Sequence, residues 1–171
     1  MQQSHAAIKC ATEMAHSHNV LLRGLNSIYQ QAPHVHQQED ARDLLFYCRA
    51  WATMVEHHHD TEESHLFPDL DALTGTPALT ATNREQHREL HAGLHSLTTY
   101  AESTAPEDYV WESGLRPVLD SFTPSFVQHL RDEIQTLLDL RTFDNDKLAQ
   151  IWNKTEEAAK GAKHPHLFVS C

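Results

Sequence analysis

Four separate segments of the chain carry histidine or carboxylate residues at spacings suited to metal binding. Within the stretch from Val55 to Pro68, His58 and Glu62 stand four positions apart, and residues at that spacing share one face of an α-helix. The same spacing recurs twice further along the chain, and a lone histidine lies near the N-terminus. The candidate metal ligands are His18, His58, Glu62, His87, His91, His129 and Glu133.

The chemistry of these side chains indicates which ions they would hold. Neutral imidazoles combined with carboxylates suit iron, manganese, zinc or copper, whereas calcium and magnesium need mostly oxygen ligands. Seven candidates are too many for one tetrahedral zinc site. The set suits two ions bridged by the two carboxylates, and iron is the most natural choice. The 15 histidines of the chain are an excess that metal binding would explain.

Four amphipathic helices are predicted to position these ligands. Apolar residues recur at steps of three and four, and each candidate falls on the apolar stripe of its helix. Prolines and a Thr-Gly-Thr-Pro sequence mark the connections, which are short enough to make neighbouring helices antiparallel. The predicted helices cover about residues 4–31, 38–68, 77–103 and 107–141, and a further amphipathic segment covers about 144–160.

This pattern predicts the fold class and the division of the chain. We expect an all-α protein, an up-down-up-down four-helix bundle with a short additional C-terminal helix. Residues 1–142 would form the bundle, and residues 143–171 would form the helix and tail packed on it. An ionised carboxylate in such a core costs several kcal/mol unless it is paired or coordinated. Inward-facing carboxylates on two helices therefore favour a bound cation.

The registers of two helices leave alternatives open. On the second helix, a shift of one residue would replace the predicted inward pair by His59 and Glu63. On the third helix, the inward position one turn after His87 belongs either to His91 or to Leu90. The first alternative changes two ligands and the second changes one, while the candidates stay on the same four segments.

Composition limits the expected partners and compartment. The 24 acidic and 13 basic residues give a formal net charge of −11, so phosphate backbones would repel the protein and nucleic acid is not an expected partner. The three cysteines do not make a disulfide framework. The N-terminus lacks the basic start and apolar run of a signal peptide, and no stretch is apolar enough to span a membrane. We expect a cytoplasmic protein without membrane contact.

The motifs follow one another in a characteristic order: the lone His18, His58-x-x-x-Glu62 followed by Leu66-Phe67-Pro68, His87-x-x-x-His91, and His129-x-x-x-Glu133. In this order and at helix-length separations, the chain resembles the hemerythrin-like (HHE) domains over about residues 12–140. The resemblance implies a non-haem di-iron centre inside the bundle, with zinc or manganese as possible substitutes for iron. It also implies dioxygen, or another small diatomic molecule or peroxide, as the ligand.

The resemblance further distributes the candidates between two irons and their bridges: His87, His91 and His129 on one iron, His18 and His58 on the other, and Glu62 and Glu133 as bridges. A bridging oxo or hydroxo group would complete the centre. The iron with fewer protein ligands would keep a position open for dioxygen. Oligomeric state is not predicted by any of these features.

One departure from the family's oxygen carriers bears on function. The carriers have an aspartate five residues after the last histidine, whereas that position here is Ile134 and the carboxylate is Glu133 at a spacing of four. HHE domains that sense or act on oxygen, iron or nitric oxide commonly show the shorter spacing. The resemblance therefore implies oxygen binding for sensing, storage or iron handling rather than simple transport.

The alternative function is an enzyme that uses the same centre. It would be a di-iron oxidase or oxygenase, or would process peroxide or nitric oxide. An apolar pocket beside the open iron and a nearby proton donor would distinguish this alternative. Tyr29 and Tyr47 are candidate donors by their helical positions.

Two other kinds of protein compete with this interpretation. Ferritin-like di-iron proteins use Glu-x-x-His pairs, and Glu13/His16 and Glu62/His65 have that spacing. However, Glu13, His16 and His65 fall off the apolar stripes. A metal-free bundle whose histidines form a pH switch would have to bury two uncompensated glutamates.

Overall fold

The part of the chain that this computed structural model describes, residues 5–76 and 78–161, consists of helices without β-strands. The predicted all-α fold class is therefore confirmed. The first residue of the predicted helix 4–31, residue 77 of the predicted third helix and the predicted tail from residue 162 onward lie outside the described residues. The α-helices are α1 Ala6–Gln31, α2 Gln38–Thr61, α3 Phe67–Thr74, α4 Ala81–Ser103, α5 Arg116–Asp139 and α6 Asn145–Gly161.

Contacts at two points along α1 and α5 show that these two helices run antiparallel. The hydroxyl of Tyr29, late in α1, donates a hydrogen bond to Asp120 at 2.8 Å, early in α5. His18, near the middle of α1, lies 3.1 Å from the carbonyl oxygen of Leu130, further along α5. Later residues of one helix thus meet earlier residues of the other.

Helices α2 and α4 have the same relation. Arg49, in the first half of α2, pairs with Glu102 at the end of α4 at 3.5 Å. His59, at the end of α2, stacks on His87 near the start of α4, with ring centroids 3.9 Å apart. Because α1 and α2 also pack together, each helix of the bundle contacts two neighbours.

Helices α4 and α5 close the bundle and lie close together at Gly93. A Cβ atom on Gly93 would lie 2.4 Å from the Cβ of Phe122. Near the other end, Thr136 donates a hydrogen bond to Asn83 at 3.0 Å, which fixes the antiparallel direction. These contacts confirm the predicted up-down-up-down four-helix bundle.

Two apolar clusters occupy the two ends of the bundle. The larger includes Trp51, Phe122 and Phe126, and the smaller includes Phe67 and Trp152 together with the first turns of α1. The candidate ligands lie on the helix segments between these clusters. Burial of the apolar side chains stabilises both ends and holds the polar layer between them.

Helix α6 is the predicted C-terminal helix, and it packs beside the bundle. The side chain of Asn145 accepts a hydrogen bond from the backbone N–H of Ala6 at 2.7 Å. Lys154 pairs with Asp69 of α3 at 2.7 Å, and Trp152 is buried in the smaller apolar cluster. In the described ranges, none of the helices is both long and apolar enough to cross a membrane.

Replacing Gly93 with alanine tests the close approach of α4 and α5. In an ordinary helix interior this change stabilises by about 1 kcal/mol, since alanine is the better helix former. Here the new Cβ would overlap Phe122, so we expect the free energy of unfolding to fall by about 1–3 kcal/mol. Urea denaturation followed by circular dichroism measures the change.

The exposed residue Ser96 on the same helix provides the control for this measurement. Ser96→Ala should leave the free energy of unfolding within about 0.5 kcal/mol of the wild-type value. A Gly93→Ala protein that is as stable as the wild type would contradict the described packing.

Candidate metal centre

The structure gathers histidine and carboxylate side chains from all four bundle helices into two adjoining groups. Within each group, one potential ligand atom per residue lies within 4.8 Å of the others. The first group, which we name the HHEE group, contains His18, His58, Glu62 and Glu133. The second, which we name the three-histidine group, contains His59, His87 and His129.

Six of the candidates predicted from sequence therefore lie together, and one does not. His91 is exposed on α4, and Leu90, the alternative, takes the inward position with 1% of its surface exposed. The apolar stripe of α4 continues through Leu94 and Leu97, so burying Leu90 instead of an imidazole removes more apolar surface from water. The inward orientation predicted for His91 is thus corrected.

His59 takes part in the centre in place of His91. It is 7% exposed and belongs to the three-histidine group together with His87. The sequence offers His58/Glu62 and His59/Glu63 as alternative registers, but side chains from both pairs reach the centre. The sequence signal was the overlap of two His-x-x-x-Glu pairs in consecutive positions.

A π-helical turn directly follows the helix that carries the two adjacent histidines. Residues Glu62–Leu66 form this turn directly after α2, and the backbone N–H of Phe67 donates to the carbonyl of Glu62 five residues earlier. The N–H of Glu62 is shared between the carbonyls of His58 and His59. Such turns insert an extra residue into a helix and often mark functional sites. The wider turn brings Glu62 and Phe67, five residues apart, onto the buried side of the chain.

Both ring nitrogens of His18 lie near oxygen atoms, an arrangement that a bound cation would make favourable. Its Nδ1 lies 3.1 Å from the carbonyl oxygen of Leu130, and its Nε2 lies 3.1 Å from a carboxylate oxygen of Glu133. A neutral imidazole carries one N–H, so one of these contacts must bring two lone pairs together. With Nδ1–H donating to Leu130, the lone pair of Nε2 is free to bind a metal ion beside Glu133.

His87 and His129 show the same feature more clearly. Nδ1 of His87 lies 3.0 Å from Glu63, and Nδ1 of His129 lies 3.2 Å from the side-chain oxygen of Gln86. The Gln86 amide donates to Asp132 at 2.7 Å, which orients its oxygen toward His129. With both Nδ1–H groups donating outward, the two Nε2 lone pairs face each other at 3.2 Å, as ligands of one cation do.

Glu62 connects the two groups. Its Oε1 lies 3.0 Å from Nε2 of His58 in the HHEE group, and its Oε2 lies 3.5 Å from Nε2 of His87 in the three-histidine group. Both oxygens are buried without a hydrogen-bond partner among the described residues. A carboxylate placed in this way can bind one cation with each oxygen.

Burial shifts the pKa values of several of these side chains in the direction that favours the neutral form. It lowers the pKa of His58 to about 3 and that of His129 to about 4, and it also lowers the pKa of His59. Burial, followed by the charge of nearby Glu133, raises the pKa of Glu62 well above its usual value. At neutral pH the imidazoles therefore offer free lone pairs, which is the form that binds metals.

Glu133 is the carboxylate that stays ionised. Burial by itself would raise its pKa, but contact with His18 and the surrounding imidazoles hold the pKa at about 2. The two glutamates thus divide one proton between them, with Glu62 carrying it when no cation compensates the charges. A bound cation would displace this proton, since metal ligands must be deprotonated.

The residues that support the competing interpretations do not come together. The side chains of His16 and Glu13 are 69% and 44% exposed, and His65 is also exposed, so ferritin-like pairs do not form. Tyr29 lies eleven residues from His18, about 16 Å along α1, and its hydroxyl bonds to Asp120 instead. Tyr47 is 43% exposed, so neither tyrosine lies at the centre.

The metal-free protein should lose stability as the pH falls from about 6.5 to about 4. Across this window the unfolded chain protonates its histidines, whereas burial keeps His58, His59, His87 and His129 neutral. Protons then favour the unfolded state. The raised pKa of Glu62 acts in the opposite direction, but it is one group against four.

Urea midpoints measured on metal-free protein at several pH values test this dependence. His129→Gln removes one of the buried titrating groups and should make the dependence shallower. A midpoint that rises on acidification through this window would contradict the buried, neutral state of the imidazoles.

Comparison with known proteins gives the family. The sequence matches the Hemerythrin HHE cation binding domain over residues 11–140, a range that contains both groups of ligands. A protein of Cryptosporiopsis sp. (strain 8999), named dimeric xanthone biosynthesis cluster protein R11, is 43% identical over 154 residues, which cover 90% of this chain and 58% of the relative. This chain thus spans less than two thirds of the length of that relative. No solved structure matches this chain significantly. The chain belongs to the hemerythrin HHE cation-binding domain family, as the order of its motifs predicted.

Proposed function

We propose that this protein holds two iron ions bridged by carboxylates and binds dioxygen, or a related small oxidant, at that centre. The observation that carries the proposal is the position of Glu62, whose two oxygens face imidazoles of different groups at 3.0 and 3.5 Å. One cation would be held by the HHEE group and the other by the three-histidine group, with Glu62 as the bridge. Both groups fit cations, because their buried donor atoms lack other partners.

Iron is the metal we propose, with zinc or manganese as substitutes. Mixed imidazole and carboxylate ligands suit all three metals, and of these, iron and manganese change oxidation state. A bound iron pair would supply the electrons with which dioxygen is held or reduced. The protein's part is to fix the imidazoles by hydrogen bonds to Leu130, Glu63 and Gln86 and to exclude bulk water from the donor atoms.

The two metal positions are not equivalent. The HHEE group supplies two imidazoles, His18 and His58, whereas the other group supplies three. The side chain of His58 is 16% exposed, while that of His18 is 4% exposed. The HHEE position, with fewer imidazoles and an accessible edge, is therefore where we place binding of the small ligand.

His59→Ala tests the composition of the centre. Anaerobic reconstitution should give two irons per chain in the wild type and about one in this variant, because three imidazoles are reduced to two. Metal analysis counts the irons, and thermal unfolding with and without iron measures the stabilisation that binding provides.

His65→Ala provides the matched control, since His65 lies close by in sequence and is exposed. This control should keep both irons and the full stabilisation by iron. If His59→Ala also keeps two irons, the proposed three-histidine position is wrong.

A second candidate function, oxidation of a small organic substrate, is favoured by a cavity beside the HHEE group. The cavity measures about 380 Å³, a size typical of small-molecule sites. Its walls include Met14, Leu21, Met54 and Trp152, and it reaches His58 and Glu62. The lining is mostly apolar, so a flat, largely uncharged molecule would fit beside the metal centre.

The relative from Cryptosporiopsis supports an aromatic substrate for this second candidate. Its name assigns it to a biosynthesis cluster for dimeric xanthones, and xanthones are flat aromatic ketones. We infer that, if the protein is an enzyme, dioxygen accepts electrons from a phenolic aromatic compound that lies in the apolar cavity. The centre would then work as a non-haem di-iron oxidoreductase.

Met54→Trp separates the two candidate functions. The larger side chain would fill the cavity without replacing a metal ligand, because Met54 is half-buried in its wall. If the protein is an enzyme, oxygen uptake stimulated by a hydroxyxanthone should fall by roughly an order of magnitude or more, while the iron content stays unchanged. An oxygen electrode and metal analysis measure both quantities.

Phe46→Trp is the control for this experiment, because Phe46 lies on the same helix and is 64% exposed. It should leave both oxygen uptake and iron content unchanged. A wild-type protein that binds dioxygen reversibly and shows no stimulated uptake would favour the oxygen-binding function over the enzyme.

A further inference from the structure

A polar groove between α2 and α4 opens onto the three-histidine group. Its lining differs in character from that of the apolar cavity. Its volume is about 550 Å³. It includes the exposed His91, which the metal centre does not use. The groove is lined by Glu56, His59, Asp60, Glu63, His87, Arg88, His91 and Leu94.

The outer wall of this groove is acidic. Glu56, Asp60 and Glu63 follow at steps of four and three, so they share one face of the helix. Among the described residues, neither Glu56 nor Asp60 forms an ion pair with a basic side chain. Like charges at this spacing destabilise a helix, so the arrangement is unfavourable unless a cation is present.

The basic residue in the lining does not cancel this charge. The guanidinium of Arg88 forms an ion pair with Glu85, one turn earlier on α4. Clefts lined by one sign of charge raise the local concentration of oppositely charged ions and accelerate their arrival. The groove therefore attracts cations toward its inner end.

The inner end of the groove carries an independent sign of a ligand. His59 is 7% exposed, and its Nε2 has no hydrogen-bond partner among the described residues. On the facing helix, His91 stands one turn after His87 and is exposed. Imidazoles thus extend from solvent at His91 to the buried centre at His59 and His87.

We propose that this groove is the loading route for divalent metal ions, ferrous iron in the cell. Glu56, Asp60 and His91 bind the hydrated ion transiently, and His59 and His87 then take it into the centre. The ion exchanges water for carboxylate and imidazole ligands, and no electron transfer is needed. This inference rests on the proposed di-metal centre.

The rate of metal uptake tests the groove separately from the centre. Metal-free wild type, His91→Ala and the double variant Glu56→Gln/Asp60→Asn are mixed anaerobically with Fe(II). Samples are quenched at set times with a chelator that removes loosely held ions, and bound iron is counted. His95→Ala, an exposed histidine one turn beyond His91 and outside the groove lining, is the matched control.

We expect Glu56→Gln/Asp60→Asn to take up Fe(II) about tenfold more slowly, within the range by which charged clefts raise on-rates, and His91→Ala to take it up more slowly through the loss of a transient ligand. Both variants should reach the wild-type iron content at long times. The control should load at the wild-type rate. Unchanged uptake rates in both variants would overturn the loading route. Loss of final iron content in His91→Ala would also overturn it, since His91 would then be a resident ligand. Failure of the wild type to hold two ions would instead refute the di-metal centre.

Discussion

The main constraint on this structure is that the lone pairs of several imidazoles and carboxylates face one another, buried, in the middle of the helix bundle. Among the described residues of the centre, seven potential ligand atoms on five side chains are buried without hydrogen-bond partners. They are Nε2 of His18, His58 and His59, and both carboxylate oxygens of Glu62 and Glu133. An unsatisfied buried polar atom costs about 1–3 kcal/mol, and a whole domain is stable by only about 5–15 kcal/mol. The cost of this layer is thus of the same order as the net stability of the domain. Cation binding is the interaction that offsets it, because it satisfies all of these atoms together.

The two apolar clusters make such a layer tolerable. Trp51 packs against Phe122 and Phe126 on one side, and Phe67 and Trp152 are buried on the other. These clusters hold four antiparallel helices in register on either side of the ligands, so the ligands are positioned before any ion arrives. The hydrogen bond between His129 and Gln86, and the one that Gln86 donates to Asp132, then fix the orientation of the His129 ring. Preorganisation of this kind comes from packing at a distance and from local hydrogen bonds together.

The sequence predicted the fold and most of the ligand layer because both follow from helical periodicity. His18, Glu62 and Glu133 lie on apolar stripes, and a stripe is a local property that residue types reveal. On α4, His87 was predicted, but the inward position one turn later was not decided by the pattern, since His91 and Leu90 are adjacent candidates and only the packing of the bundle selects Leu90. His59 could not be separated from His58 by residue type, because each has a glutamate four positions later and both reach the centre.

The position of α6 gives the centre two unlike openings. Trp152 of α6 closes one side of the apolar cavity beside His58, whereas the acidic groove on the other side of α2 reaches His59 and contains no residue of α6. Adjacent histidines on one helix thus face different surroundings, one with a larger share of apolar surface and one more polar, although carboxylates line both. An uncharged molecule would partition into the first, and a cation would be drawn to the second. The family match ends at residue 140 and α6 begins at Asn145, so α6 supplies its part of the cavity wall, including Trp152, from outside the matched range, whereas Met14 and Met54 supply theirs from within it. The cavity wall is thus shared between α6 and the bundle, while the histidines and carboxylates of both groups lie within the matched range.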